Sequence, residues 1–526
     1  MRKLSTAAGL ILGLVLLTLP ATAGAKDDPS EKAKSKAKTT EIQILGLNDF
    51  HGNLEPPSGS SGRIGEPTEV AEDVFECLAP TCFPAGGVGY LATHVRELRE
   101  ENPKNTVFVS AGDLIGASPL ISGLFHDEPT IEAFNLMGLD YNGVGNHEFD
   151  EGVDELLRMQ NGGCHPVDDC QDGDPFAGAS FQFLAANVRY KDTGETIFPP
   201  YAIHHFTGVK VAFVGMTLEG TPDIVTPAGI QTVNFLDEAD SVNALVPTLK
   251  RQGVETIVVL LHEGGNVDAP RNGAGSVTAI NECTNPTGPL PPIVERMDDE
   301  IDVVITGHTN WAVNCEIDGK IVTGAAAFGR LVTDIDLTVS RATKDVVAAT
   351  VNNRIITRDV EQAPDLVDLV AKYDELSAPL ADRIVGTASA DLTRTQNAAG
   401  ESSLGDIIAD AQHDATSDPL FGGAVVALMN PGGIRAEIAA GEVTYGELFE
   451  VQPFNNVLTV LTCTGTQIDA LLEQQFYPDP EDNTILQVSD GFTYTWDASA
   501  PLGSRVDIGT IEIDDTPITP STSYRV

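Results

Sequence analysis

Five apolar runs between Glu41 and Asn310 each lead into a polar stretch whose side chains can bind a metal ion. "EIQILGLNDFHGN" leads to Asp49 and His51, "TVFVSAGDL" to Asp113, and "LDYNGVGNHEFD" to Asn146 and His147. "ETIVVLLHEGG" leads to His262, and "IDVVITGHTN" to His308 and Asn310. One such Asp or His is more often a turn or capping residue than a ligand. Five strands in succession, each delivering one to its carboxyl end, argue for a shared site. The donors are oxygen and imidazole with no thiolate, a set suited to zinc, manganese or iron. It exceeds the needs of one ion and suits two, with one carboxylate shared. Two divalent cations outweigh the two carboxylates among the ligands, and phosphate is the natural guest of the surplus charge. Such a pair activates water at neutral pH and clamps the oxygens of an in-line displacement.

The elements that must hold these groups are legible in the same runs. Near-continuous apolar strands imply a sheet covered on both faces, with functional groups gathered at the carboxyl ends. β-Branched runs alternate with helical patterns from residue 41 to about 340, the mark of an α/β domain. Between 341 and 385 the texture changes, and "EQAPDLVDLVAKYDELSAPLADRIVG" reads as one amphipathic connector helix. Its apolar face takes Leu366, Leu369, Val370, Tyr373 and Leu376. A second, smaller domain runs from 386 to 526. At the other end, residues 1–25 have two basic residues, an apolar run from Leu10 to Leu19 and then small residues, the layout of a signal peptide. Residues 26–40 read as a flexible tether. Cleavage of that signal is expected to leave a secreted, periplasmic or cell-surface protein, and no later stretch is long and apolar enough to span a membrane.

The chain carries a formal net charge of −46. That favours solubility and argues against nucleic-acid polymers or anionic membranes as partners. An anionic substrate would then need a local cationic site, which the two metals supply. In an oxidising compartment the seven cysteines read best as the disulfides Cys77–Cys82, Cys164–Cys170 and Cys283–Cys315, with a buried free thiol at Cys463. A zinc site is the alternative, although loop spacings of this kind do not form the usual knuckles. His126 and His165 lie in loops and receive no role.

In this order, Asp-x-His, Gly-Asp, Gly-Asn-His-Glu, His and Gly-His-x-Asn resemble the calcineurin-like metallophosphoesterases. "NDFHGN", "GNHEFD" and "GHTN", followed by "NPGGIR" and "VQPFNN", resemble the secreted 5′-nucleotidase/UDP-sugar hydrolase branch. The resemblance covers nearly everything after residue 40. It implies a two-sheet metallophosphoesterase sandwich flanked by helices, plus a smaller α+β C-terminal domain that recognises substrate. It implies one metal, zinc or manganese, at Asp49, His51 and Asn310, and a second at Asn146, His262 and His308, with Asp113 shared. His147 becomes the catalytic histidine, with Asp150 holding its imidazole and Glu148 left as structural. Asn430 and Arg435 would hold substrate, Phe454 would stack on a base beside Asn456, and Arg394 would add a phosphate contact. The second domain would rotate to deliver substrate, with the helix near 362–383 as hinge. Relatives continue past "PSTSYRV" into a second aromatic plate and a Gly-Gly-Asp turn; without that segment the dimetal site is expected, and nucleoside specificity is not.

The expected activity is release of phosphate from nucleoside 5′-phosphates by metal-activated water. Alternatives within the class are a 2′,3′-cyclic nucleotide phosphodiesterase and a UDP-sugar pyrophosphohydrolase acting on a nucleotide sugar. The alternative outside it is a surface-binding protein with a degenerate nucleotide clamp.

Overall fold

The computed structural model describes residues 38–57, 59–65, 68–71, 74–76, 81–266, 280–283, 285–453, 458–477 and 483–526. The expected signal peptide, most of the tether, Cys77, Phe454 and Asn456 lie outside the described residues.

Twelve of the described strands build the two main sheets of the large domain. The first four are β1 (Thr39–Leu47), β2 (Thr106–Ser110), β3 (Tyr141–Gly143) and β4 (Gln182–Leu184). Next come β5 (Tyr201–Phe206), β6 (Val209–Thr217), β7 (Thr256–His262) and β8 (Val303–Thr306). The last four are β9 (Ala312–Ile317), β10 (Lys320–Ala325), β11 (Leu331–Ser340) and β12 (Val346–Ile355). They form two six-stranded sheets, as the two-sheet sandwich expected from the sequence has it, ordered β12-β11-β1-β2-β3-β4 and β5-β6-β7-β8-β10-β9.

Alternation along each strand explains the layering, because successive side chains point to opposite faces. On β7, Val258 and Leu260 meet Ile42, Ile44, Val107 and Val109 of the first sheet. The intervening Ile257, Val259 and Leu261 pack outward against Val242 and Leu290, which lie on helices Glu238–Arg251 and Leu290–Arg296. On β1 and β2, Leu45, Leu47 and Phe108 face outward to helices Val88–Glu101 and Glu128–Met137. The order is therefore helix, sheet, sheet, helix. β1, β2 and β3 are mutually parallel, as are β7 and β8, so each set brings its carboxyl ends to one edge.

Three sequence expectations shift. Thr39 and Thr40 pair with Ser340 and Val339, so the first strand begins inside the segment expected to be tether. The large domain does not end near residue 340, because β12 extends its first sheet to Ile355. β12 is mostly solvent-exposed, which removes the apolar alternation that would have announced it. The connector helix runs from Pro364 to Ala381 with Leu366 and Tyr373 buried and Leu369 and Val370 packed beside them, but Leu376 is 40% exposed. Tyr373 meets Phe125 edge-on and donates to Glu132 (3.1 Å). The helix is thereby fastened to the large domain, so a hinge would fall after Ala381 rather than within the helix.

The smaller domain gathers helices around two- and three-stranded ladders and has two small cores. One is built around Val426, Leu472 and Ile511, the other around Leu404, Ile408 and Met429. Helices Tyr445–Val451 and Gly465–Glu473 each start from a capping box, Thr444 with Glu447 and Thr464 with Gln467. Disulfides join Cys164 to Cys170 and Cys283 to Cys315. Cys82 is disulfide-bonded as well. Cys463 is free but only partly buried, because its strand is a three-residue piece near the surface rather than a core strand. No described helix is long and apolar enough to cross a membrane.

Asp302, just before β8, offers a stability test away from the site. Its carboxylate accepts from the Ile257 amide (3.0 Å). Burial, reinforced by Asp345 and Glu300, raises its pKa to about 7. A raised folded-state pKa contributes stability that is present below the unfolded value of about 4 and is lost as pH rises through 7. Asp302→Asn keeps an accepting oxygen without the charge. It should gain on the order of 2 kcal/mol over wild type at pH 8, with the gain shrinking at pH 5.5. Thermal melts of both proteins at the two pH values check this.

Candidate dimetal site

The first sheet brings Asp49, His51, Asp113, Asn146 and His147 to its edge, and the second brings His262, His308 and Asn310. Asp113 stands between two sets of donors. Its Oδ2 lies 2.9 Å from His262 Nε2 and 3.8 Å from His51 Nε2. His51 Nε2 is also 3.8 Å from Asp49 Oδ1. On the other side, Asn146 Oδ1 sits 3.1 Å from His262 Nε2 and 2.9 Å from His308 Nδ1. Donor atoms of Asp113, His262 and His308 all lie within 4.8 Å of one another, as do those of His51, Asp113 and His147.

Backbone carbonyls fix the orientation of two of the rings. His51 Nδ1 bonds the Gly116 carbonyl (2.9 Å) and His262 Nδ1 the Ala111 carbonyl (2.8 Å), which turns each Nε2 toward the cluster. Such backbone partners set tautomer and orientation in metal sites. Burial and the neighbouring His262 push the His308 pKa down to about 4, whereas at His262 burial is outweighed by the Asp113 and Asp49 carboxylates, which hold its pKa up at about 10. Asp113 is fully buried, which would raise its pKa, yet His262, His147 and His51 hold it well below the usual carboxylate range.

Two further observations fit these residues to two divalent cations. The Oδ1 of Asn310 is buried and has no hydrogen-bond partner among the described residues. Asp49, His51, Asp113, His308 and Asn310 all have positive φ, between 48° and 69°. Left-handed backbone at five donors in one cluster is the kind of strain that collects at functional sites.

His147 is set apart from the ligands by its partner. Its Nδ1 donates to Asp150 Oδ2 at 2.8 Å. Burial opposes protonation of the imidazole, but the Asp113 and Asp150 carboxylates outweigh it and hold the pKa up at about 9. Glu148 is a scaffold: its carboxylate accepts from the amides of Asp113 (2.9 Å), Leu114 (3.0 Å) and Gly145 (2.6 Å). A Cβ at Gly145 would overlap the Asp113 carboxylate, so glycine serves close approach there rather than a turn.

Sequence reasoning missed two supports. Asn48 donates to Asp49 Oδ2 (2.6 Å) and accepts from the Ala325 amide (2.7 Å), tying the first ligand to the second sheet. Its place next to Asp49 was the only signal. Asp127 accepts from the Gly116 amide (2.9 Å) and so steadies the carbonyl that holds His51; nothing in the sequence marked it.

From the smaller domain, Arg394 and Arg435 reach a cleft of about 500 Å³ that is also lined by Asn53 and Phe328 of the large domain. Burial and the like charge of Arg394 lower the Arg435 pKa, while Asp49 and Asp113 act in the opposite sense. Asn430 is exposed at the start of its turn. Phe454 and Asn456 lie outside the described residues.

The family profile for calcineurin-like phosphoesterase matches residues 42–311, the stretch that carries every donor above. This chain belongs to that family. A second profile, the 5′-nucleotidase C-terminal domain, matches residues 384–526. Members of the phosphoesterase family are metal-dependent phosphoester hydrolases. It is 34% identical over 485 residues to endonuclease YhcR of Bacillus subtilis, a match covering 92% of this chain and 36% of that protein. It is 30% identical to the cell wall protein Lmo0130 of Listeria monocytogenes, covering 100% of this chain and 66% of that one. The chain thus spans about a third and about two thirds of these two relatives. Among solved structures, the 5′-nucleotidase precursor of Thermus thermophilus superposes with a TM-score of 0.69 at 25% identity, covering 93% of this chain and 89% of that one.

Proposed function

We propose that this phosphoesterase is exported and releases phosphate from nucleoside 5′-phosphates. Residues up to Ile355 would form the catalytic domain, and residues 386–526 the domain that holds the nucleotide. The observation that carries the reading is Arg435, which lines the cleft together with Arg394 and interacts electrostatically with Asp49 and Asp113. Export is supported by the signal-like N-terminus, the disulfides and a relative named as a cell wall protein.

Asp49, His51 and Asn310 would hold one divalent cation, Asn146, His262 and His308 the other, and Asp113 both. When bound, the two ions supply Lewis acidity toward phosphoryl oxygens and an acidified water as nucleophile. Arg435 and Arg394 bind the anionic end of the substrate and set its direction. His147, protonated and steered through Nδ1 by Asp150, leaves Nε2 to give a proton to the departing alkoxide. Asp150 is a positioning residue.

Hydrolysis should be followed by chromatography of the products, with phosphate release read for the monoesters, using AMP, UDP-glucose, a 2′,3′-cyclic nucleotide, an aryl phosphate and a single-stranded oligonucleotide, with zinc or manganese and with chelator. Metal-dependent turnover of AMP well above all the others is expected. Preference for the cyclic nucleotide, UDP-glucose or the oligonucleotide would replace the 5′-nucleotidase reading, and metal binding without turnover would favour a binding protein. Arg435→Ala should raise KM for AMP by about 10–100-fold, the cost of a lost charge-assisted bond. Arg435→Lys should recover little of it, because an ammonium cannot reproduce the planar fork.

A further inference from the structure

A second group of ligand-type side chains stands beside the dimetal cluster and shares none of its residues. His126 lies in a loop after the turn Leu120–Gly123, with φ of 52°. His165 lies in "CHPVDDC", a loop closed by the Cys164–Cys170 disulfide. The two rings stack with centroids 3.7 Å apart and planes 19° from parallel. His126 Nδ1 is 2.7 Å from Glu151 Oε2, and its Nε2 is 3.0 Å from Asp168 Oδ2. Asp168 Oδ2 is also 3.3 Å from His165 Nδ1. One donor atom each from His126, Glu151 and His165 lies within 4.8 Å of the other two.

We propose that His126, His165 and Glu151 form a third divalent-metal site of the zinc class. Two imidazoles with one or two carboxylates is a donor set that zinc accepts in four-coordinate sites. Bonds of about 2.0–2.2 Å put neighbouring donors roughly 3.3–3.5 Å apart, and in-plane binding requires the two stacked imidazoles to tilt out of their near-parallel arrangement so that one nitrogen of each points at the ion. The charge surroundings point the same way. A cavity of about 310 Å³ opens on His126, Glu151 and Asp168, and its wall adds the carboxylates of Asp127, Asp150 and Glu155. That excess of acids draws cations and gives an ion a way in.

The site has a structural consequence. Glu151 follows Asp150, the partner of His147, while His126 precedes Asp127, which holds Gly116 and through it His51. An ion bound there would tie together the two segments that orient the catalytic imidazole and one dimetal ligand. It would act as a brace, with no part in the chemistry.

The test is zinc stoichiometry on the whole chain, stripped with chelator, reloaded with zinc alone and freed of excess by gel filtration. Wild type should carry one equivalent more than His165→Gln and one more than Glu151→Gln, each shown folded by circular dichroism. Zinc should also raise the wild-type melting temperature further than that of either variant. Because the readout is a difference between proteins, it stands whether or not the dimetal site turns over nucleotides. If folded His165→Gln and Glu151→Gln carry as much zinc as wild type, the cluster is a protonated His126 clasped by two carboxylates and the proposal is overturned.

Discussion

Asp113→Asn should lose both catalytic ions together and lower phosphate release by at least ~1000-fold. One carboxylate faces both donor sets, with Oδ2 at 2.9 Å from His262 and 3.8 Å from His51, so neutralising it weakens two sites with one change. Several kcal/mol of transition-state stabilisation is expected from such ions, and each 1.36 kcal/mol is tenfold in rate. The fold should survive, because the Asp113 amide keeps its bond to Glu148 and an asparagine oxygen can still accept from the His147 amide. Metal analysis beside the assay decides the matter: a variant that keeps both ions and full activity removes Asp113 from the shared position.

His147→Ala should lower kcat for AMP by about 100-fold or more while metal content stays at the wild-type level. The substitution removes the imidazole but leaves the backbone amide that donates to Asp113 Oδ1 at 2.9 Å, so the ligand cluster keeps its shape. The loss should depend on the leaving group. An aryl phosphate departs as a weakly basic phenolate and needs less help from a proton donor, so its rate should fall less than that of AMP. Equal losses on both substrates would mean that His147 acts on the phosphoryl oxygens rather than on the leaving group.

The site was legible because its signal is local. A strand that stays apolar and then breaks into Asp-x-His or Gly-His-x-Asn announces both the strand and what hangs from its end, and five such pieces need no knowledge of how they pair. Pairing itself was hidden. β7 is buried on both faces, which reads alike in a single covered sheet and in two stacked ones, and only the three-dimensional arrangement assigns Val258 to one layer and Val259 to the other. β12 escaped because its side chains are exposed. Asp127 escaped because its work is to receive a backbone amide, a task that leaves no spacing behind. The stacked His126 and His165 are 39 positions apart, and nothing in either neighbourhood refers to the other.

The left-handed backbone at Asp49, His51, Asp113, His308 and Asn310 carries a cost beyond the site. A histidine in that conformation is held against its own preference, and residues so placed cost on the order of 1 kcal/mol or more each. Selection for a robust fold alone would install glycine at His51 and His308. The same loops would then close at less expense, and the protein would be sturdier and inert. The sequence at these turns records a compromise in which durability was given up for reactivity, and improving this enzyme's thermal tolerance will have to begin elsewhere in the chain.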